Sequence, residues 1–391
     1  MYLPLLEKQP SNLFLIRPRR FGKSIFLSML RAYYDIAQKD KFQKRFGNLW
    51  IGSQPTPLQG MFQIVHLDFS RASGGSGSLA ENFNRYCGMV MDVFGKSYES
   101  YYFPGFAQKM EELPDFVSKL NYLNLHAAEH NARLYLIIDE YDNFTNIVLN
   151  EQGHNIYHDL THANGFYREI FKKFKGMFER IFMTGVSPVT LDDLTSGFNI
   201  GWNISTDFQF NMMLGFSEMD VREMFQYYKD AGQLKSDADI DAMIQEIKPW
   251  YDNYCFAEES LERDPKMFNC DMVFYYLRHY ITLGKSPKQM IDPNTRTDYN
   301  KMKNLIQLDK LDGNRKGVLR KITEEGQIIT SLLTTFPAIE ITKPEIFPSL
   351  LFYYGMLTIT GTRGERVILS IPNNNVRKQY YDFLLEDYQD K

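Results

Sequence analysis

Gly22-Lys23-Ser24, preceded by Arg17-Pro18-Arg19-Arg20-Phe21, is the first group in this 391-residue chain whose types and spacing could do chemistry. A glycine lets backbone amides approach an anion, a lysine can reach the β- and γ-phosphates of a nucleotide, and a serine hydroxyl can ligate Mg²⁺. The full phosphate-loop pattern asks for another glycine where Arg17 stands. The pattern fails there in the strict sense, yet Pro18 biases Arg17 toward extended backbone, and the positions nearest the phosphates are intact. A helix starting here would aim its N-terminal amides at the anion. The candidate nucleotide-binding set is therefore Arg17, Arg19, Arg20, Phe21, Gly22, Lys23, Ser24 and Ile25.

Asp139-Glu140 is the second group, directly after the apolar run Leu134 to Ile138. In a phosphate-loop ATPase, Asp139 would hold Mg²⁺ through water, with Ser24 as the other metal-side residue. Glu140 would polarise the attacking water as general base. Adjacent acids at a strand end are, taken alone, more often a solvated turn. Following Gly22-Lys23-Ser24 in this order, they favour ATP and Mg²⁺ as cofactors. Thr184, with Ser187 close behind, is the third group. Its hydroxyl could position the water or sense the γ-phosphate, or it could bond its own backbone at a strand-to-turn transition. Both readings stand, and Glu140, Asp139 and Thr184 are the candidate catalytic residues. Arg19 and Arg20 could meet phosphate, a neighbouring subunit or nucleic acid, or could be solvated loop side chains.

These groups need a scaffold that brings them together. Asn12 to Ile16, Ile64 to Asp68, Leu134 to Ile138 and Ile181 to Met183 read as buried strands, three of them ending in polar clusters. Ile25, Phe26, Met29, Leu30 and Tyr33 recur at helical spacing. Strands alternating with helices predict an α/β fold with a parallel sheet, and such sheets bind ligands at the carboxyl ends of their strands. Ala72 to Ser78 is glycine- and serine-rich but lacks a lysine, so it reads as a linker. From Ser217 the pattern turns helical, with Ser217-x-x-Asp220 as a capping pair. Ile328-Ile329-x-x-Leu332-Leu333 reads as a further helix, and Leu357 to Thr360 and Val367 to Ile371 as a hairpin, together suggesting a winged helix.

The composition, 44% hydrophobic and 24% charged, is that of a globular protein and excludes disorder as the main state. Thirty Phe and 25 Tyr predict a ring-rich core. The net charge of -4 argues against a generally basic nucleic-acid coat. It is uneven: residues 1 to 50 hold ten basic and three acidic side chains, a local +7 that leaves -11 elsewhere. Cys87, Cys255 and Cys270 are few and widely spaced, so neither a disulfide framework nor a zinc ribbon is expected, and the reading is a reducing cytoplasm. The N-terminus lacks the features of a signal peptide, and no apolar run is long enough for a membrane helix.

Arg17-Pro-Arg-Arg-Phe-Gly-Lys-Ser24, Ile138-Asp-Glu-Tyr-Asp142 and Thr184-Gly-Val-Ser-Pro188 resemble the bacterial AAA-ATPase-like family. So do Leu194-Thr-Ser-Gly-Phe-Asn-Ile200, Trp250-Tyr-Asp-Asn-Tyr-Cys-Phe256 and Ile371-Pro-Asn373. The resemblance implies a phosphate-loop core over residues 1–215, a helical connector over 216–325 and a winged-helix-like domain over 326–391. It relates the chain to archaeal and signalling ATPases of many domains, and the missing first glycine is usual there. It carries the nucleotide role onto Lys23, Ser24, Asp139 and Glu140. Members of the family commonly continue into a restriction-endonuclease-like nuclease domain, which this chain is expected to lack. Asn375 stands where the resemblance leads one to expect an acid. Asp241, Glu246 and Lys248, the nearest acid-and-lysine set, read as a solvated helix face. The expected activity is a nucleotide-driven NTPase serving a nuclease or nucleic-acid-linked process; the alternative is a binding switch or DNA-binding protein with little or no hydrolysis. An oligomer is compatible with either, and a membrane partner with neither.

His154, His158 and His162 recur every fourth residue, as on one helix face, but without a metalloprotease pattern they read as polar helix surface, as do His126 and His130. Tyr275, Tyr276 and Tyr280 read as core rather than as a platform for bases.

Overall fold

The computed structural model describes residues 2–72, 78–143, 166–188, 201–263, 266–293, 315–336, 343 and 345–389. The histidines at 154, 158 and 162, the 194–200 motif and most of the 72–78 linker lie outside them. The chain divides into two compact units: residues 1–16 with 23–204, and residues 17–22 with 205–391. This differs from the expected boundaries after 215 and 325, since the helical and hairpin segments share one unit with the loop Arg17–Gly22.

The first unit is built on a five-stranded sheet of β1 (Asn12–Ile16), β2 (Gln63–Asp68), β3 (Leu134–Asp139), β4 (Arg180–Gly185) and β5 (Trp202–Asn203). All neighbours are parallel, in the order β2-β3-β4-β1-β5. Every residue of β1 and β3 is buried, which explains why these strands read as unbroken apolar runs rather than alternating ones. The helix Lys23–Tyr34 follows β1 closely and buries Phe26, Leu27, Leu30, Tyr33 and Tyr34, a spacing that keeps one stripe on the core. Its aromatic end meets Phe42, Phe46 and Phe62 edge-to-face and Tyr135 at a tilt. Phe69, Phe83, Tyr167, Phe171 and Phe174 form a second ring cluster, as the composition anticipates.

The strand order decides where chemistry can sit. β4 lies between β1 and β3, so the ends of all three strands are neighbours, with Leu15 opposite Thr184 and Ile138 opposite Met183.

In the second unit, the helices Glu218–Asp230, Ile240–Tyr251 and Cys270–Leu283 pack around Phe225, Ile244, Ile247, Val273 and Tyr276. The Ser217–Asp220 capping box closes in both directions, as the sequence predicts. Tyr276 is core, with Tyr280 packed against it. Further on come the helix Arg315–Glu325, β6 (Gln327–Thr330), the helix Phe347–Tyr353, the hairpin β7 (Thr358–Arg363) and β8 (Arg366–Ser370), and the helix Asn374–Gln389. The antiparallel sheet β6-β8-β7 and this order of elements give a winged-helix-like segment. Gly364, at φ 61°, begins the two-residue hairpin loop.

One expected helix is a strand. Ile328 and Ile329 lie in β6, opposite Leu369 and Ile368. Gly326, at φ 74°, ends the preceding helix, and the β-branched run after it fits a pleated surface better than another helical turn.

Candidate functional site

The carboxylate of Asp139, buried at the end of β3, is the centre of a compact oxygen cluster in the first unit. Ser24 Oγ, near the start of the Lys23–Tyr34 helix, donates to Asp139 Oδ2 at 2.6 Å. Thr184 Oγ1, from the adjacent β4, donates to Asp139 Oδ1 at 2.7 Å, and the Glu140 amide donates to the same oxygen at 2.9 Å. The Thr184 hydroxyl is bonded to the acid, a partner that neither sequence reading named. Two residues from distant parts of the sequence, Ser24 and Thr184, thus meet on one carboxylate.

Glu140 is half-buried and adopts φ 48°, the left-handed region that non-glycine residues rarely enter. Such a conformation costs on the order of 1–3 kcal/mol and persists where surrounding contacts enforce it. Lys23 opens the helix and is only 7% exposed. Its charge is felt by Asp142. Ile25, grouped with the nucleotide-binding residues by position, is 75% exposed.

Beneath this cluster lies a layer whose role the sequence left unassigned. Asp142 Oδ2 accepts the amides of Val186 at 3.0 Å and Ser187 at 2.7 Å. The Tyr141 amide donates to Thr184 O at 3.1 Å, its hydroxyl donates to Ser187 O, and Tyr167 donates to Tyr141 O at 2.6 Å. The segment after β3 is therefore tied to the segment after β4. Gly185 makes the approach feasible, because a Cβ there would lie 2.5 Å from the Tyr141 ring and 2.6 Å from Asp142 Oδ1. The available signal was the run Ile138 to Asp142 beside Thr184 to Pro188, but only the strand order reveals that the two runs touch.

Burial pushes the Asp142 carboxyl above its usual range, against the amides of Val186 and Ser187 and the charge of Lys23, which pull it down. A folded-state proton affinity above the unfolded one means that this group costs stability at neutral pH. The cost is relieved as pH falls through the folded pKa toward the ordinary aspartate range. Asp142→Asn keeps an acceptor for the two amides and removes the charge, so it should be as stable as the parent or more so at neutral pH. Its advantage should shrink on acidification. Asp142→Ala strands buried donors and should cost about 1–3 kcal/mol. Urea denaturation at pH 7 and pH 5 checks the order, which a less stable asparagine variant at pH 7 would contradict.

The loop Arg17–Gly22 belongs to the second unit, and Arg17, expected among the nucleotide-binding residues, is engaged there by backbone carbonyls. It is fully buried, donates from Nη1 to Ser205 O at 2.6 Å and from Nη2 to Phe210 O at 2.8 Å, and lies 4.2 Å above the Phe256 ring. A planar guanidinium suits this combination of forked donation and stacking. Phe21 packs edge-on against Tyr254 and Phe256. Arg20, at φ 68°, pairs with Asp271 at 2.6 Å, and Arg19 O accepts from Asn269 Nδ2 at 3.4 Å. Gly22 turns at φ 89° before the helix, a conformation for which glycine is suited.

The Trp250–Phe256 and Ile371–Asn373 motifs meet in the same unit. Asn253 Nδ2 donates to Pro372 O and Asn373 Nδ2 to Asp252 O, each at 3.0 Å. Asn373 Oδ1 accepts the Val376 amide at the start of the last helix. Asn375 Oδ1 accepts from Gln379 within that helix.

His126 pairs with Glu129 at 2.7 Å, and both His126 and His130 lie against the rings of Phe103 and neighbouring aromatics. Among the described residues, no group of three His, Cys, Asp or Glu is placed to hold a metal. Cys87, Cys255 and Cys270 are free thiols. No described helix is long and apolar enough to cross a membrane.

Residues 1–195 match the family model described as predicted AAA-ATPase. No curated protein matches the chain. Among solved structures, the chain is similar to the Orc2 protein of Aeropyrum pernix in its ADPNP-ADP complexes, with 10% identity, a TM-score of 0.42, and 100% of this chain and 92% of that one covered. It is similar to the Orc1 protein of Aeropyrum pernix in complex with DNA, with 11% identity, a TM-score of 0.36 and coverage of 97% and 89%. It is also similar to Cdc6p from Pyrobaculum aerophilum, with 13% identity, a TM-score of 0.33 and coverage of 96% and 88%. At such identities and TM-scores these likenesses bear no functional weight.

Proposed function

We propose, from the premise that residues 1–195 belong to the predicted AAA-ATPase family, that this chain binds ATP with Mg²⁺ and hydrolyses it slowly as a regulatory module. The observation that carries the reading is the convergence of Ser24 and Thr184 on the Asp139 carboxylate, at 2.6 and 2.7 Å.

The donor set fits Mg²⁺. A hydroxyl and a carboxylate are hard oxygen ligands, and Mg²⁺ is usually held by one or two such groups with the rest of its shell from water and phosphate. Ser24 and Asp139 would hold the ion. Once bound, it would neutralise phosphate charge. Lys23 would pair with the outer phosphates, and the amides at the start of its helix would face them. Glu140, with its backbone fixed beside Asp139, would orient and deprotonate the attacking water. Thr184 would keep Asp139 aimed and link it to β4.

A second reading, a nucleotide-gated switch with little turnover, is favoured by the bonding of Arg17, Arg20 and Phe21 inside the second unit. Displacement of the loop ahead of Lys23 would be felt there. A nuclease or nucleic acid is the partner suggested by the family resemblance, and the three free thiols suit a reducing cytoplasm.

Phosphate release from purified protein with Mg²⁺ and ATP, with and without duplex DNA, tests the proposal. Slow turnover that EDTA removes is expected. Tight ATP binding without phosphate release would favour the switch, and absence of ATP binding would refute both readings.

A further inference from the structure

A cleft of about 680 Å³ opens in the first unit on the outer side of β2, between the helices Lys23–Tyr34 and Leu79–Tyr98. Two tyrosines fix the Leu79–Tyr98 helix to β2 at either end of it. The Asp68 amide donates to Tyr86 Oη at 2.9 Å, and the Ile64 amide donates to Tyr98 Oη at 3.0 Å. The space between these ties runs along roughly 13 Å of strand. Ile64, His66 and Asp68, which share one face of β2 by the two-residue period, line it. Its volume lies in the range of small-molecule sites.

The lining is divided by chemistry. One wall is apolar, with Met89, Val90, Val93 and Phe94. Met89 is 62% and Val93 60% exposed. The other side carries Arg31 and Arg45, both exposed. Neither makes an ion pair among the described residues. Both act electrostatically on the buried Asp35, which is already bonded by Tyr98 Oη at 2.8 Å and by the Ala37 amide at 2.9 Å. Arg71, in contrast, is paired with Asp68 at 3.1 Å. On the floor, His66 Nε2 is buried and has no hydrogen-bond partner among the described residues, a state that costs free energy until a guest supplies one. Burial first, and then the charge of Arg31, holds this imidazole below its usual proton affinity, against the carboxylates of Asp139 and Asp68.

We propose that this cleft is a binding site for a small organic acid, its anionic group taken by Arg31 and Arg45 and its apolar body laid against Met89, Val90, Val93 and Phe94. His66 Nε2 supplies one further hydrogen bond to the guest. Two unpaired guanidiniums facing an apolar wall select a guest that is charged at one end and apolar along its length. The lining does not include Ser24, Asp139 or Thr184, and the proposal does not depend on the ATPase reading.

The test uses the full chain and two fluorescent probes of the same shape, anilinonaphthalene sulfonate and its uncharged relative phenylnaphthylamine. The sulfonate should bind at one site per chain and at least tenfold more tightly than the neutral probe. The double variant Arg31→Ala/Arg45→Ala should lower sulfonate affinity at least tenfold and leave the neutral probe unchanged. Met89→Asp should weaken both probes. An unchanged unfolding midpoint in each variant shows that the fold is intact. Saturating Mg²⁺-ATP and the Lys23→Ala variant should not displace the sulfonate. If they do, or if the arginine variant binds it normally, the probe sits elsewhere and the proposal fails. Arginine-dependent binding of an acidic, leucine-rich peptide without binding of the sulfonate would replace the small acid by a protein partner and equally overturn it.

Discussion

Lys23→Ala should abolish ATP binding. Lys23 begins the helix that follows β1, one residue before the serine that bonds Asp139. An ammonium at that point would make charge-assisted hydrogen bonds to two phosphates, each worth about 1.5–3 kcal/mol. Losing both would weaken binding on the order of a hundredfold or more, because each 1.4 kcal/mol is a factor of ten. The group is 7% exposed, so little bulk solvent screens it. Lys23→Arg should not restore affinity, since a planar fork is a poor replacement for a compact ammonium in a buried position. Calorimetric titration with Mg²⁺-ATP reads the effect directly. Affinity unchanged by the alanine substitution would place the nucleotide away from this helix. The fold should survive the change, and a cooperative urea transition in the variant provides the control that separates lost binding from lost structure.

Much of the first unit was legible because its strands are buried along their length, which makes Asn12–Ile16 and Leu134–Asp139 stand out as apolar runs. Lys23, Ser24 and Asp139 were legible because each sits at a strand end or helix start, where a polar residue interrupts such a run. The partnership of Thr184 with Asp139 was not, since it depends on β4 lying between β1 and β3, and strand order leaves no local mark. Arg17 shows the same limit. Its partners Ser205 and Phe210 are 188 and 193 residues away, so its place beside a phosphate-loop motif suggests an anion ligand and gives no sign of these bonds. Ile328 and Ile329 were misread for a different reason. Apolar pairs four residues apart satisfy a helical stripe, yet the pairing with Ile368 and Leu369 that makes them a strand comes from the other side of a hairpin. Local pattern located the elements, and contacts distant in sequence assigned their roles.

Glu140→Gln should retain ATP binding and lose turnover by about 10²–10⁴-fold, the usual contribution of a positioned general base. The amide keeps the side chain's size and its ability to orient a water, but not the capacity to accept a proton. KM should therefore stay close to that of the parent while kcat falls. Asp139→Ala should differ, because it removes the acceptor shared by Ser24, Thr184 and the Glu140 amide. Binding and turnover should then fail together. The backbone of Glu140 supplies a second, independent check. At φ 48° a side chain is strained, and glycine relieves that strain. If Glu140 is retained for chemistry, Glu140→Gly should be as inactive as the glutamine variant but no less stable in urea. A glycine variant that unfolds more easily while the glutamine variant still turns over ATP would make Glu140 a structural residue and assign the base elsewhere. Phosphate-release rates, ATP titrations and unfolding midpoints on the same three variants distinguish these outcomes.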